Sequence, residues 1–226
     1  MVEVWLPYGE TEVCVRIPTA NLLDIVEPKK VDKKDPQSEI RSALQNPIGT
    51  KRLAESVRPG SKVAIVLKDS GVSANQILIS LLMEEIKSAG VNEKDVTILF
   101  AYDPLRNYQK LPMLVEDLPA RLRVVKHSCD AAQQVSVGKT SNGIEICLNS
   151  LFVEADVKIL AGPVEPHPIA GYGGGYEIVL PGVAGLDSIR EVFRLGIDGK
   201  AVKGNLEGNP VHDEMVEAAD LAKVDF

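Results

Sequence analysis

Short apolar runs, each followed by a segment with helical periodicity, constrain the fold of this chain more than any other feature. The runs are "KVAIVL" from residue 62, "DVTILFAY" at 95–102, "RLRVVKH" at 121–127 and "ADVKILAG" at 155–162. Helical stretches such as "ILISLLMEEIKSAG" and "NYQKLPMLVEDL" separate the first three. This alternation predicts parallel strands joined by helical crossovers, so we expect an α/β fold with a mainly parallel sheet flanked by helices.

Alternating apolar and polar residues predict two antiparallel hairpins in addition to the sheet. Residues 2–18, "VEVWLPYGETEVCVRIP", alternate around a Pro-Tyr-Gly-Glu turn and form the predicted N-terminal hairpin. The stretch "QQVSVGKTSNGIEICLN" predicts a second hairpin around residues 140–143. Before the sheet, "SEIRSALQNP" at 38–47 predicts a helix capped by Ser38.

Length and composition predict a single domain. A chain of 226 residues with 45% apolar residues can bury a substantial core. We expect one α/β domain over residues 1–226, with the hairpin at 2–18, a charged linker at 28–37 and a core at 60–226. The basic cluster "PKKVDKK" within that linker is short and interrupted by an aspartate, so we interpret it as solvated.

Charge and cysteine content exclude several classes of partner and site. A net charge of −7 without a concentrated basic segment argues against a nucleic-acid partner. No window approaches the roughly 20 apolar residues of a membrane span, and "MVEVWLPYGE" is not typical of a signal peptide. Cys14, Cys129 and Cys147 are widely spaced and odd in number, which favours reduced thiols in the cytoplasm over disulfides or a metal site.

The segment "GPVEPHPIAGYGGGYEIVLPG", residues 162–182, is the strongest candidate for a binding site. It directly follows the last predicted core strand and combines His167 with a run of glycines. Glycine lets a ligand approach the backbone closely because it has no Cβ. The run "GYGGGY" does not match a dinucleotide fingerprint, since the sixth position is Tyr176. We favour a functional role for His167 over a structural one, and leave both roles open for His127 at the end of an earlier strand.

Several segments resemble the amino-terminal domain of the nickel-pincer lactate racemase family, whose members racemise or epimerise 2-hydroxy acids. The resemblance covers nearly the whole chain and is most specific in residues 155–182 and in the Gly-Asn-Pro before the last helix. The segments that carry it are "LPYGETEV", "LKDSGVS", "VTILFAYDPLR", "GKTSNGIEICLN", "VEADVKILAGPVEPHPIAGYGGGYEIVLPGVA" and "LEGNPVHDEMVEAADLAKVDF". It implies an isomerase whose active site lies between two domains, of which this chain has the first and lacks the second.

The resemblance also implies roles for individual residues. His167 matches one of the two histidines that act on the substrate hydroxyl as acid and base, and Arg106 matches the arginine that binds the substrate carboxylate. The second acid–base histidine falls on Leu105. The lysine that tethers the nickel-pincer nucleotide falls on Glu177, and the histidine that ligates the metal falls on Phe193. Neither replacement can do the same chemistry, since a glutamate has no amine and a phenyl ring has no lone pair for nickel.

The cofactor implied by the resemblance is a nickel-pincer nucleotide, here without its covalent tether. Where the family has Asp-x-Thr-Arg-Pro after the first core strand, this chain has "DSGVS", which keeps the acid and loses the arginine. Asp69 is equally well explained as a helix cap. The residues that would contact the cofactor are Asp69, Ser70, Gly173, Gly174, Gly175 and Glu177.

Two functions therefore remain open from the sequence. The first is a racemase or epimerase of 2-hydroxy acids, with His167 and Arg106 as the catalytic residues and an untethered or different cofactor. The second is a non-catalytic module that binds a nucleotide or a hydroxy acid. In both cases we expect a small-molecule ligand, no nucleic acid and no membrane, and a second domain or a second copy of the chain that completes the cleft.

Overall fold

The computed structural model describes residues 1–9, 11–26, 29, 34–104 and 122–226. The chain divides into two compact units, Met1–Lys34 and Asp35–Phe226. The predicted helical stretch "NYQKLPMLVEDL" and half of the charged linker lie outside the described residues.

The first unit contains the predicted N-terminal hairpin. Strands β1 (Val2–Tyr8) and β2 (Thr11–Ile17) pair antiparallel, from Val2 opposite Ile17 to Tyr8 opposite Thr11. Gly9 has a φ of +62°, a conformation that a short hairpin turn requires and that glycine adopts without strain. The hairpin predicted at 2–18 is confirmed.

The second unit is built on a four-stranded parallel sheet. The strands of the whole unit, in chain order, are β3 (Val63–Leu67), β4 (Val96–Phe100), β5 (Arg123–Lys126), β6 (Gln134–Lys139), β7 (Glu145–Asn149), β8 (Val157–Ala161), β9 (Pro166–His167) and β10 (Gly171–Tyr172). The order in the central sheet is β5-β4-β3-β8, and all neighbours are parallel. Strands β6 and β7 form the second predicted hairpin, and β9 and β10 form a short third one. The predicted parallel α/β fold is confirmed.

Helices lie against both faces of this sheet. They are α1 (Pro36–Gln45), α2 (Leu53–Ser56), α3 (Val72–Ser88), α4 (Ser150–Val153), α5 (Leu186–Arg194) and α6 (Pro210–Ala222). Side chains alternate between the faces of a strand, so β3 sends Ile65 and Leu67 into one core and Ala64 and Val66 into the other. The first core includes residues of α1, α2 and α3, and the second includes residues of α4, α5, α6 and β7.

The cap of α1 differs from the prediction. The N-cap residue is Asp35, whose carboxylate accepts a hydrogen bond from the Ser38 backbone N–H at 2.9 Å. Pro36 has no N–H to donate and a φ suited to the first helical position, so the helix begins there and not after Ser38. Leu44 and Leu53 are buried with α3, so the packed core extends to residues before position 60.

Within the described ranges, none of the helices is both long enough and apolar enough to cross a membrane.

Candidate functional site

The strand order places two chain segments together at the carboxyl edge of the sheet. The chain runs outward from β3 to β4 and β5, and then returns to β8 on the other side of β3. The crevice between the ends of β3 and β8 is therefore a topological switch point, where α/β proteins tend to bind ligands. Lys68 directly follows β3, and the glycine-rich segment follows β8.

A buried ion pair joins these two segments. The Lys68 ammonium donates hydrogen bonds to both carboxylate oxygens of Glu177, at 2.8 Å to Oε1 and 2.7 Å to Oε2. Asp103, from the loop after β4, lies 3.7 Å from the same ammonium. All three side chains are less than one tenth exposed. Removing charges from water is costly, so a cluster this deep persists only because the charges compensate one another.

His167 lies beside this pair in an extended conformation, between two prolines. It belongs to β9, and only 4% of its surface is exposed. Its Nδ1 accepts hydrogen bonds from the backbone N–H groups of Ala170 at 2.9 Å and Ile169 at 3.3 Å. Its Nε2 lies 4.0 Å from Glu177 Oε1 and is buried without a hydrogen-bond partner among the described residues.

Burial controls the charge of this imidazole. Desolvation lowers the pKa of His167 below its ordinary value. The neighbouring charges partly cancel, since Glu177 and Asp103 raise that pKa and Lys68 lowers it. His167 is therefore neutral near pH 7, with one ring nitrogen that accepts and one that donates.

The glycine run makes room for Glu177. A Cβ on Gly173 would lie 2.2 Å from Glu177 Oε2, which is closer than any real contact. Gly174 has a φ of +95°, its N–H donates to the same oxygen at 2.7 Å, and a Cβ there would lie 2.8 Å from the Pro163 carbonyl oxygen. Gly175 by contrast has open space around its Cα. Two of the three glycines are thus required by the chain's own contacts.

The turn at Asp69 and Ser70 is also occupied by internal hydrogen bonds. Asp69 Oδ1 accepts from the Gly71 N–H at 2.8 Å and from the Asn75 side-chain amide at 2.7 Å. The Ser70 N–H in turn donates to Asn75 Oδ1 at 2.9 Å. The N-cap of α3 is Gly71, so Asp69 stabilises the turn before the helix and does not cap the helix itself. The backbone N–H groups of Ser70 and Gly71 therefore already have acceptors within the chain.

Two positions of the predicted site lie outside the described residues, and the third, Phe193, contacts His167. Arg106 and Leu105 belong to the undescribed range 105–121. Phe193 on α5 contacts His167 edge to face, with ring centroids 6.3 Å apart and planes at 74°. The ring at this position therefore packs against the imidazole.

His127 has a structural role. The ring is buried, Nε2 lies 2.9 Å from the Ala184 carbonyl oxygen, and Nδ1 lies 3.1 Å from the Asn149 side-chain amide nitrogen. A carbonyl only accepts, so Nε2 carries the proton and Nδ1 accepts from the amide. Of the two roles left open by the sequence, the structural one explains both ring nitrogens.

Across the described parts of the chain, no three His, Cys, Asp or Glu side chains are grouped closely enough to hold a metal ion.

Sequence reasoning missed two members of the charged cluster, Lys68 and Asp103. Both follow strands whose residues are almost entirely buried, at the edge where ligands collect. A charged residue within a few positions of the end of a buried strand was the available signal. Its pairing with Glu177 could not be predicted without the strand order.

Comparison with known proteins agrees with this fold. The family model described as the lactate racemase N-terminal domain matches residues 8–204. The lactate racemase of Thermoanaerobacterium thermosaccharolyticum is 30% identical over 236 residues, covering 100% of this chain and 55% of that protein. The lactate racemase of Lactiplantibacillus plantarum is 28% identical, with the same coverage. This chain therefore spans about half the length of these relatives.

Solved structures give the same result. The lactate racemase apoprotein from Thermoanaerobacterium thermosaccharolyticum superposes with a TM-score of 0.80 at 29% identity, over 99% of this chain and 54% of that one. A protein from Thermotoga maritima shares the fold, with a TM-score of 0.61 at 20% identity over 83% of this chain and 49% of that one. Since the family model matches residues 8–204 and the whole of this chain aligns with about half of two lactate racemases, the chain belongs to the lactate racemase family.

Proposed function

We propose that this protein is a lactate racemase-like module that binds a small 2-hydroxy acid at the switch point between β3 and β8, without the family's tethered cofactor. The observation that carries the proposal is His167 Nε2, a buried donor that finds no acceptor in the described structure. Buried polar groups are almost always hydrogen-bonded, so an orphaned one at a sheet's carboxyl edge indicates a ligand or an ordered water.

The residues at the tether and metal positions do not fit a covalently held nickel-pincer nucleotide. Glu177 has no amine, and both of its oxygens are already bonded to Lys68. Phe193 has no lone pair and packs against His167. Among the described residues, the amine beside Glu177 is that of Lys68, and the Glu177 carboxylate holds it in an ion pair. No catalytic step through the cofactor is therefore assigned to this chain.

A racemase or epimerase activity toward 2-hydroxy acids is the second candidate. Its support is the 30% identity to a lactate racemase across the whole chain. This activity would use His167 on the hydroxyl and Arg106 on the carboxylate, with an untethered cofactor. It would also need the remaining half of the cleft, which we expect from a second domain or a second copy of the chain.

The three cysteines are all free, and we expect the protein to work in the reducing cytoplasm.

Coexpression with the cofactor-making enzymes and nickel separates the two candidates. We expect the intact chain to show no mass increase and no conversion of either lactate enantiomer above background, because loss of tether and metal ligand removes the fixed orientation that hydride transfer needs. An adduct on Lys68 or on any other residue would contradict the proposal. So would turnover that disappears in His167→Ala.

Ligand binding is measured on the same protein by thermal unfolding. A ligand that binds only the folded state raises the apparent stability, by about 2.7 kcal/mol at a concentration one hundred times its Kd. We expect a higher Tm with millimolar lactate in the wild-type chain and a smaller shift in His167→Phe. His212→Phe is the matched control, because His212 lies on α6 and its ring contacts Tyr176 and not the charged cluster. If lactate raises the Tm of both variants equally, His167 does not contribute to the binding site.

A further inference from the structure

The hydrogen bonds of His167 determine which of its nitrogens carries the proton. Nδ1 accepts from two backbone N–H groups, those of Ala170 and Ile169. A proton on Nδ1 would point at two donors and would break both bonds. The neutral imidazole therefore holds its single proton on Nε2.

This tautomer cannot act as a general base toward a ligand. A base of that kind needs an unprotonated Nε2, and a neutral ring can have one only if Nδ1 carries the proton. The β9–β10 hairpin prevents that, because Ala170 and Ile169 both offer N–H groups to Nδ1. His167 is thus a donor held in one orientation.

Glu177 offers a matching acceptor. Its Oε2 already accepts from Lys68 and from the Gly174 N–H. Its Oε1 accepts from Lys68 and keeps a second lone pair, and it lies 4.0 Å from His167 Nε2. An oxygen atom about 2.8 Å from each of these two atoms would make both hydrogen bonds at an angle of roughly 90°.

We propose, building on the ligand site above, that His167 and Glu177 together recognise a hydroxyl group, with Nε2–H as the donor and Glu177 Oε1 as the acceptor, and that no proton passes to the imidazole. A hydroxyl can accept and donate at once, as the pair requires. A carbonyl can only accept, and would place its lone pairs against the carboxylate. The pair therefore selects a hydroxy acid over the corresponding oxo acid.

The charges around the His167 imidazole favour an uncharged ligand group between His167 and Glu177. Lys68 contributes one positive charge, and Glu177 and Asp103 contribute two negative ones. Phe193 covers the ring from α5. A second anionic oxygen between His167 and Glu177 would meet net negative charge, so a ligand carboxylate has to lie elsewhere.

Imidazole nitrogen NMR of the full chain tests the tautomer without any ligand. Near neutral pH we expect His167 to show a protonated Nε2 and an unprotonated Nδ1, because Nδ1 accepts from the Ala170 and Ile169 N–H groups. The signal is assigned by its loss in His167→Gln. His127 is an internal reference, because Ala184 and Asn149 hold it in the same tautomer. A protonated Nδ1 on the neutral ring of His167 would overturn the proposal.

Binding of lactate and pyruvate tests the hydroxyl recognition. We expect lactate to bind about 10- to 100-fold more tightly than pyruvate, as for a hydrogen bond to a charged group. Glu177→Gln should reduce this ratio. His167→Gln keeps an N–H donor and should retain more lactate affinity than His167→Phe.

Equal affinity for lactate and pyruvate would overturn the hydroxyl recognition while leaving the ligand site in place. If neither acid binds, both the proposed function and the hydroxyl recognition fail, and the NMR signals still decide the tautomer on their own.

Discussion

Lys68 and Glu177 are 109 positions apart in the chain, and their ion pair organises the candidate site. The pair fixes the Glu177 carboxylate, and the carboxylate explains why position 173 is a glycine. It also places an acceptor next to the His167 donor. The Lys68–Glu177 contact therefore constrains the glycine run, places charges at the carboxyl edge of the sheet and sets an acceptor beside His167.

Removing one member of this pair should destabilise the protein more than removing both. Lys68→Met leaves the buried Glu177 carboxylate without its cation, and Glu177→Gln removes the carboxylate that pairs with the buried Lys68 ammonium. For Lys68→Met we expect the free energy of unfolding to fall by about 3–5 kcal/mol. The double variant should recover part of that loss. Urea unfolding of all four proteins gives the coupling energy.

The exposed pair between Arg190 and Asp187 provides the control. These side chains are 61% and 98% exposed and 3.6 Å apart, so Arg190→Ala should change the stability by less than about 1 kcal/mol. Strictly additive losses at Lys68 and Glu177 would show that their charges are not coupled in the folded protein.

At the scale of elements, Asn209 connects the last helix to the hairpin that holds His167. Its side chain is fully buried and accepts from the Val211 and His212 backbone N–H groups at the start of α6. Its amide donates to the carbonyl oxygens of Ile169 and Asn205, each at 2.9 Å. The same residue thus caps a helix and positions the turn of the β9–β10 hairpin.

Two substitutions separate these roles. Asn209→Ala removes the cap and both donated bonds, and we expect a loss of at least about 1–2 kcal/mol in the free energy of unfolding. Asn209→Asp keeps the capping oxygens but turns an acceptor toward Ile169 and Asn205. It should therefore also destabilise the protein and perturb the His167 imidazole signals. If Asn209→Asp matches the wild type in both measurements, the contact with Ile169 has no positioning role.

At the scale of the molecule, the two cores make the fold stable and the histidines make its stability depend on pH. Burial lowers the pKa of His127 and of His167 from the ordinary value of 6.5. The unfolded chain therefore takes up protons at a pH where the folded chain does not. The stabilisation is complete above about pH 6.5 and declines as the pH falls below it.

Each of these histidines should contribute up to about 1.4 kcal/mol per pH unit in that range. We expect the unfolding free energy measured in urea to decrease between about pH 6.5 and 5, and the slope to be smaller in His127→Gln and in His167→Gln. Glu217 acts at lower pH, since hydrogen bonds from Ser141 lower its pKa and its contribution is lost only in acid. A slope unaffected by either substitution would contradict burial as its cause.

Local patterns were sufficient to predict the hairpin at 2–18 and the parallel strands. Alternation and apolar runs act over a few residues, and the fold class follows from them. The family was also recognisable from motifs such as the 155–182 segment. The helix cap at Asp35 was missed because the preference of Pro36 for the first helical turn outweighed the pattern after it.

The composition of the site was decided by the tertiary structure. Strand order places β8 next to β3, and only that order brings Lys68 to Glu177. The tautomer of His167 depends on two N–H groups whose directions are set by the backbone of the turn between β9 and β10. A sequence pattern specifies which residues end a strand, but a hydrogen bond depends on ångström distances between groups far apart in the chain, and packing alone determines those.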